Sequence, residues 1–574
     1  KLQCARAPMA MIEKKWEVKP AMPEAARGRL ARWQDEPLLQ QLFWNRELRS
    51  EPQALAFVRR EMPPETDPFQ LAGMDAAAER VLAALDERER IAVYGDYDVD
   101  GVTATLLLLE LLQAFGGDVV PYIPQRNDEG YGLHNAALEA LAAEGVRLVI
   151  TVDCGVRALE QAEHARGLGL DLVISDHHHV GDLLPSAVAV IDPKRADCSY
   201  PEQMLSGVGI AYKIAAGLLA RRTPAQSGVS ARGFLDLVAL GTVADLVPLC
   251  GENRGLVHAG LEMLNAAPRP GVRALLQAAR SNGRVTARTI GFQLGPRLNA
   301  AGRLGSAMDA LRLLGATDLE EANQLARELE LRNRERQALT REVSERALQL
   351  ALEQAGEDDP FILFAEHEDF HTGLVGLAAA RLCEQRNRPA VVARRKDGLI
   401  TGSARSVAGF HIAEALHQCA DLLDRQGGHA AAAGFTLPQQ NWPLLVGRLG
   451  EIAREQLSEK DLRPTLSIDA QVRPDQLTER LAEQLDYFEP AGYGNLTPLF
   501  LWCGAQVVER RAVGKGNAHL KLKVRAENGE PLDAIGFWLG DRLEQLPGRV
   551  DLVFAFEENE WRGRQRRQLN LKDV

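Results

Sequence analysis

Three short segments concentrate the residue types that bind cations and move protons. GDYDVDG carries Asp96, Asp98 and Asp100, TVDCG carries Asp153, and SDHHH carries Asp176, His177, His178 and His179. Each follows an apolar, β-branched run: IAVY (91–94), RLVITV (147–152) or DLVIS (171–175). In an open parallel sheet, ligands bind beyond the carboxyl ends of the strands, so these runs deliver their acids to one rim. Clustered carboxylates repel and raise one another's pKa, and a cation must offset them. No Lys or Arg lies within the three segments. Bound divalent metal is the simplest answer, Mn2+ for carboxylates with imidazole and Mg2+ for carboxylates alone. Two such ions about 3.5–4 Å apart can clamp a phosphate for in-line attack. Each segment alone has a plainer explanation. An Asp after a strand is most often a helix cap or turn residue. DYDVDG opens like a calcium loop but lacks the remaining spacing, and three successive His suit a solvated loop. Their coincidence at three strand ends points to a metal centre.

The elements that must position these residues alternate. GMDAAAERVLAAL (73–85) is an amphipathic helix. The three runs above, with VVPYI (119–123) and AVAVI (187–191), alternate with helical stretches such as TATLLLLELLQAF (103–115). This pattern predicts βαβ units and a parallel sheet. Residues 318–355 predict one long, charged helix, expected as an exposed connector laced with salt bridges. A second α/β unit follows, with FILFA and AVVAR as strands and GLVGLAAARLCEQ and HIAEALHQCADLL as helices. Toward the end, short alternating runs (LSIDAQV, AQVVERR, HLKLKV, DLVFAF, QLNLKDV) predict a small β-barrel. The expected division is an irregular helical lead-in (1–70), a first α/β domain (71–260), a helical connector (261–355), a second α/β domain (356–460) and a barrel (461–574).

At about 150 residues per domain, 574 residues correspond to three to four domains. A net charge of -12 excludes a generally basic nucleic-acid coat but not a local basic channel, and it suits a carboxylate site. Seven cysteines without a CxxC pair predict reduced thiols in the cytoplasm, not a disulfide framework or zinc site. No apolar stretch is long enough to span a membrane. The opening KLQCARAPMAMIEKK has neither an initiator Met nor a signal-peptide pattern, and Met9 or Met11 is the expected start.

GDYDVDG, TVDCG, SDHH and GTVADLVPL (241–249) occur in this order, followed by GPRLNAAGRLG (295–305), GSARSV (402–407) and GGHAAAAGF (427–435). In this combination, over about residues 70–574, the chain resembles the DHH phosphoesterase superfamily, and within it the exonucleases specific for single strands. The resemblance implies that Asp98 binds one metal and Asp100 the other, with Asp153 bridging both. His177 and Asp245 would complete the second metal's shell. His178 would assist the phosphate or leaving group, and Asp176 would orient imidazole from behind. Many superfamily members carry a His four residues before the first metal-binding Asp, where this chain has Tyr94. The first metal is therefore expected to be weakly held, or to draw on Asp96, water or substrate oxygen. His179 is expected to be structural.

The later motifs supply cations for phosphate: Arg297, Asn299 and Arg303, then Ser403, Arg405 and Ser406 at the end of a strand ITGSA, then His429 after Gly428. Guanidinium with neighbouring hydroxyls and backbone N–H groups suits phosphate. Taken singly, an Arg is a surface residue and a Gly pair is a turn. The resemblance makes these the substrate-binding residues of a DHH-associated domain that closes over the substrate. The C-terminal segment resembles an OB-fold. Arg510, Arg511, Lys515, Lys521 and Lys523, with Trp561, Arg562, Arg564, Arg566 and Arg567, offer a track for a single strand. A solvated barrel face is the plain alternative. The implied activity is 5′→3′ hydrolysis of single-stranded DNA to mononucleotides, in recombination and repair, by a monomer working beside single-strand binding protein and a helicase. Two rivals remain. One is a superfamily enzyme for short oligoribonucleotides, cyclic dinucleotides or pyrophosphate, which would need neither the barrel nor the long helix. The other is a DNA-binding scaffold, which would be expected to have lost metal ligands that are all present here.

Overall fold

The computed structural model describes residues 13–60, 66–126, 129–226, 228–356, 359–460, 462–526, 529–561 and 564–574, without the side chains of 559–565. Met9 and Met11 lie outside the described residues. After a short strand, β1 (Lys15–Val18), come five parallel strands: β2 (Arg90–Tyr94), β3 (Asp118–Tyr122), β4 (Val146–Val152), β5 (Asp171–Ser175) and β6 (Ala189–Ile191). Their order is β3-β2-β4-β5-β6, so the chain runs outward in both directions from between β2 and β4. Such a switch point opens a crevice at the carboxyl edge. GDYDVDG leaves β2 there and Asp153 leaves β4.

The helix Val99–Ala114 is Leu-rich on every side and is buried on nearly every side, under the helices Gly207–Arg221 and Leu235–Ala244. The opposite face of the sheet is covered by Asn135–Ala143 and Leu159–Gly167. The helix Gly251–Ala266 runs across the boundary expected at 260/261. A π-helical turn, Ile290–Leu294, then leads into Gly295–Leu304, which holds the GPRLNAAGRLG motif.

The long helix is Leu319–Ala355, capped by Asp318, whose Oδ2 accepts from Glu321 N at 2.9 Å. It is less exposed than its charge predicts. A stripe including Ala322, Ala326, Leu329, Val343, Ala347 and Ala351 is buried against both α/β units. The second sheet consists of β7 (Leu363–His367), β8 (Ala390–Lys396), β9 (Leu399–Arg405), β10 (Arg425–His429) and β11 (Ala432–Pro438), in the order β10-β11-β9-β8-β7. Only β7 and β8 are parallel. The helix expected over 411–423 is shorter, Ile412–His417 followed by a 3-10 turn.

LSIDAQV forms two short strands, β12 (Thr465–Ile468) and β13 (Ala470–Gln471). The barrel proper is β14 (Phe500–Val513), β15 (His519–Arg525), β16 (Leu532–Gly536), β17 (Arg549–Trp561) and β18 (Arg564–Asp573). The pairing of β14 with β17 closes it. The lead-in belongs to this body. β1 pairs in parallel with β12, and Leu30, Leu39, Leu42 and Phe43 share a core with Phe488, Phe500 and Phe554. Arg254, at the edge of the first domain, donates to the carbonyls of Phe57, Tyr487 and Glu489 and thereby ties the three parts together. Among the described residues, no helix is long and apolar enough to cross a membrane.

Candidate active site

The acids that follow β2, β4 and β5 meet at the switch point. Asp98 caps the helix Val99–Ala114, its Oδ1 accepting from Asp100 N at 2.9 Å and Gly101 N at 3.1 Å. Capping does not exclude ligation, because Asp96, Asp98 and Asp153 also bring one oxygen each within 4.8 Å of one another. The Asp100 carboxylate accepts from Gly207 N at 2.6 Å and Val208 N at 2.8 Å, at the positive end of the helix Gly207–Arg221. Asp100, His177 and Asp245 form a second group of ligand atoms within 4.8 Å. His177 Nε2 lies 3.0 Å from Asp153 Oδ1 and 3.6 Å from Asp245 Oδ2. Asp153 thus stands between the two groups, and it does so at φ +62, a left-handed conformation rare outside glycine.

Several of these atoms lack partners. Asp96 Oδ1, Asp153 Oδ1 and both ring nitrogens of His177 are buried without a hydrogen bond of proper geometry. Burial, together with repulsion from Asp98 or Asp100, holds the carboxyls of Asp96, Asp153 and Asp245 well above their ordinary range. Asp100 is pushed up to about 7 by burial and by Asp98. Burial and the neighbouring His178 push His177 down to about 3, so it is a neutral imidazole fit for ligation. Orphaned oxygens and imidazole nitrogens at two adjoining positions are a donor set that fits two divalent cations, Mn2+ or Mg2+.

Asp176 supports this rim from behind. It accepts from Val156 N at 2.9 Å, His177 N at 2.8 Å, His178 N at 3.1 Å and His178 Nδ1 at 2.7 Å. Burial alone would raise its pKa, but the His178 hydrogen bond and charge hold it below the ordinary value. Burial lowers His178 while its bond to Asp176 raises it, and the bond prevails. Tyr94 takes no part: it is fully buried, donates to Gly132 O at 3.0 Å and stacks on Tyr122. Asp96 occupies the first group in its place. His179 is exposed, and its carbonyl accepts from Arg157 Nε at 2.7 Å.

Three residues of this rim were not singled out from the sequence. Tyr131 Oη lies 3.2 Å from Asp153 O and 3.1 Å from His178 Nδ1. Arg126 packs over the Tyr97 ring at 4.7 Å and acts on Asp96. Lys194 donates to His177 O and acts on Asp245. Arg126 and Tyr131 follow β3 at the same carboxyl edge, and that position was the available signal.

The later motifs divide. Asn299 Oδ1 accepts from Val99 N at 3.2 Å and so steadies the GDYDVDG turn. Arg303 Nη1 donates to Gly373 O at 3.2 Å, and burial with the Arg126 charge pushes its pKa down to about 9. Arg405 is also lowered by burial and then by Arg126. None of the guanidinium groups of Arg126, Arg303 and Arg405 has a carboxylate ion pair among the described residues. Ser403 and Arg405 share one face of β9, and a Cβ at Gly376 would lie 3.4 Å from Ser403 Oγ and 3.1 Å from Arg405 Nη2. His429 is lowered by burial and by Arg405, His179 and His178, which places β10 opposite the metal rim. The remaining three make contacts within the protein. Arg297 pairs with Glu330 of the long helix at 2.7 Å, and Ser406 Oγ donates to Phe410 O at 2.7 Å. Gly428 faces its own hairpin, where a Cβ would strike Ala432 O at 2.3 Å.

On the barrel, Arg511 lies opposite Lys521, whereas Lys523 is paired with Glu509 at 2.9 Å. Arg510 donates to Leu546 O, Arg567 donates to Leu477 O at 3.1 Å, and Arg566 lies 4.0 Å from Asp533. The side chains of Trp561, Arg562 and Arg564 lie outside the described residues.

Residues 90–242 match the DHH family, N-terminal domain; residues 359–455 match the DHHA1 domain; residues 468–573 match the RecJ OB domain. A Bacillus subtilis protein named single-stranded-DNA-specific exonuclease RecJ is 37% identical over 571 residues, covering 99% of this chain and 71% of that protein. The chain belongs to the RecJ family of the DHH superfamily. A crystal structure of RecJ from Thermus thermophilus in complex with Mn2+ superposes with a TM-score of 0.83 at 30% identity, covering 97% of this chain and 79% of that one. The complex of the Thermus thermophilus RecJ with Mg2+ superposes with a TM-score of 0.78 at 29% identity, covering 97% and 78%.

Proposed function

We propose that the chain is a metal-dependent exodeoxyribonuclease that removes mononucleotides from single-stranded DNA in the 5′→3′ direction. The observation that carries this reading is a rim of orphaned carboxylate and imidazole atoms facing Arg126, Arg303 and Arg405, which have no acidic partner among the described residues. Such a site takes cations on one wall and a phosphate on the other.

Asp96, Asp98 and Asp153 would hold one ion, and Asp100, Asp153, His177 and Asp245 the other. When bound, two divalent ions supply Lewis-acid stabilisation of phosphoryl charge and a nucleophilic water at neutral pH. The chain supplies the rest. Arg303, Arg405 and Ser403 grip the 5′-terminal phosphate, which fixes the end at which cleavage starts. The Nδ1–H bond of His178 to Asp176 favours the imidazolium, whose Nε2–H gives its proton to the leaving 3′ oxygen. His429 closes the phosphate pocket from the DHHA1 side. The barrel steadies the following single strand through Arg511 and Lys521. The same reading places the protein in recombination and repair, in the cytoplasm, as a monomer beside single-strand binding protein and a helicase.

The test is cleavage of a long single strand with Mn2+, Mg2+ or EDTA, with Asp153→Ala run alongside. Cleavage by the wild type with either metal, lost in EDTA and in the variant, is expected. Cleavage that survives EDTA would refute the two-metal reading.

A further inference from the structure

Asp245 is held differently from its neighbouring carboxylates. Asp98 and Asp100 each accept from two backbone N–H groups. Among the described residues, no donor hydrogen-bonds the Asp245 carboxylate. It stands at the C-terminal, negative end of the helix Leu235–Ala244, where Asp100 and Asp98 repel it. Its place is therefore set by its main chain. That chain is irregular from Leu246 to Cys250, between two helices. Leu246 stands at φ +63, a conformation that persists for a bulky residue only where the surroundings impose it.

The C-terminal body supplies the constraint. Its turn Gly492–Asn495 is closed by Gly492 N to Asn495 O at 2.9 Å and Asn495 N to Gly492 O at 3.1 Å. The turn lies on residues 248–250: Leu249 N donates to Tyr493 O at 2.7 Å, and Cys250 Sγ to Gly494 O at 3.3 Å. A Cβ at Gly492 would strike Leu249 Cδ1 at 2.7 Å, and one at Gly494 would strike Pro248 Cβ at 2.8 Å, so two glycines let the backbones meet. Asn495 fixes the turn in this pose. It is buried, its Nδ2 donates to Phe488 O at 2.8 Å and Pro490 O at 3.0 Å, and its Oδ1 accepts from Arg46 Nε at 3.0 Å. Arg46, from the lead-in, also donates to Leu496 O at 2.7 Å and packs over the Phe488 ring at 4.4 Å.

We propose that Asn495 and Arg46 are positioning residues for the second cation: through the turn Gly492–Asn495 they fix the main chain that carries Asp245. The inference rests on the two-metal reading above. Neither side chain touches an ion or the substrate. They act through Leu249 and Pro248, four and three residues beyond the ligand. The lead-in and the C-terminal body thereby become part of the metal centre, although Asp98, Asp100, Asp153, His177 and Asp245 all belong to the first domain. Partners that orient metal ligands from behind are worth about 10–100-fold in metal affinity.

Asn495→Ala removes the amide that fixes the turn, and Arg46→Lys keeps the charge while removing the guanidinium fork. Leu552→Ala, in the barrel core on β17, is the control for loss of stability alone. Mn2+ binding to the full chain without DNA is followed by calorimetry, and Asp245→Ala marks the binding event that belongs to the second cation. Asn495→Ala and Arg46→Lys are each expected to weaken that event about tenfold and to leave the other unchanged. The Mn2+ concentration for half-maximal cleavage of a single strand should rise by the same factor, with kcat recovered in excess Mn2+. Leu552→Ala should lower Tm and leave both Mn2+ affinities at wild type. Wild-type Mn2+ affinity in both Asn495→Ala and Arg46→Lys would overturn the proposal, and so would an equal loss in Leu552→Ala. Wild-type Mn2+ affinity in Asp245→Ala would instead refute the two-metal reading on which the proposal rests.

Discussion

Gly207→Ala adds one carbon and removes no functional group, yet it is expected to disable the site. A Cβ at Gly207 would lie 2.6 Å from Asp153 Cβ, 2.8 Å from Cγ and 2.9 Å from Oδ1. Ordinary contact begins at 3.4 Å, so the pair must separate by about 0.8 Å. Asp153 cannot easily yield, being already held at φ +62. The Gly207 side cannot easily yield either, because its N–H and that of Val208 hold the Asp100 carboxylate. The displacement therefore falls on ligands of both cation positions. Misplacement of about 1 Å near reacting atoms costs about 100-fold in rate, and perturbed support of metal ligands costs about 10–100-fold in affinity. We expect kcat on single-stranded DNA to fall at least about 30-fold and Mn2+ affinity by calorimetry about tenfold, within those ranges. Stability should change by no more than about 1–3 kcal/mol, the usual cost of overpacking. Gly209→Ala is the control, since its nearest neighbour would be Ser206 Oγ at 3.3 Å. A Gly207→Ala enzyme with wild-type kcat and Mn2+ affinity would refute the placement of Asp153 as the shared ligand.

Cation binding should release protons. Without metal, Asp96, Asp153 and Asp245 sit well above their ordinary range and Asp100 at about 7. Raised carboxyl pKa values favour the protonated folded state, so their contribution to the metal-free fold is present at low pH and is lost as pH rises through the folded values. The Mn2+-induced rise in Tm should therefore grow from about pH 5 to pH 8, and calorimetry in buffers of different ionisation enthalpy should show proton release. Arg405→Ala should raise KM about tenfold, the value of a lost charge-assisted contact, on 5′-phosphorylated strands but not on 5′-hydroxyl strands; an equal effect on both would remove Arg405 from the phosphate pocket. Arg254→Ala leaves three carbonyls without their donor, at a cost of about 1–3 kcal/mol for each buried unsatisfied group. Calorimetry should then resolve an earlier transition of the C-terminal body, and an unchanged Tm would refute its role as a tie.

The positions of the acids were legible because short β-branched runs led into Asp96, Asp153 and Asp176, and the structure ends β2 at Tyr94, β4 at Val152 and β5 at Ser175, just before them. Local pattern carries strand ends well, since period and punctuation both mark them. It carries long-range pairing poorly. Nothing in KWEV announced that β1 would pair with β12 some 450 residues later. Nor did anything local show that Arg297 would be neutralised by Glu330, or that Gly428 would face its own hairpin. Arg126 and Tyr131 were missed for the same reason: they follow a strand without being acids, and their meaning comes from Asp96 and His178 across the crevice. The closeness of Gly207 to Asp153 is likewise invisible until the helix Gly207–Arg221 is packed against the end of β4.

The most direct test of the central claim uses a long single strand labelled at its 5′ or its 3′ end, alone or annealed into a blunt duplex, in Mn2+. The account predicts early release of the 5′ label as mononucleotide from the single strand, late loss of the 3′ label, and little cleavage of the duplex. Early loss of the 3′ label, or equal cutting of the duplex, would contradict it.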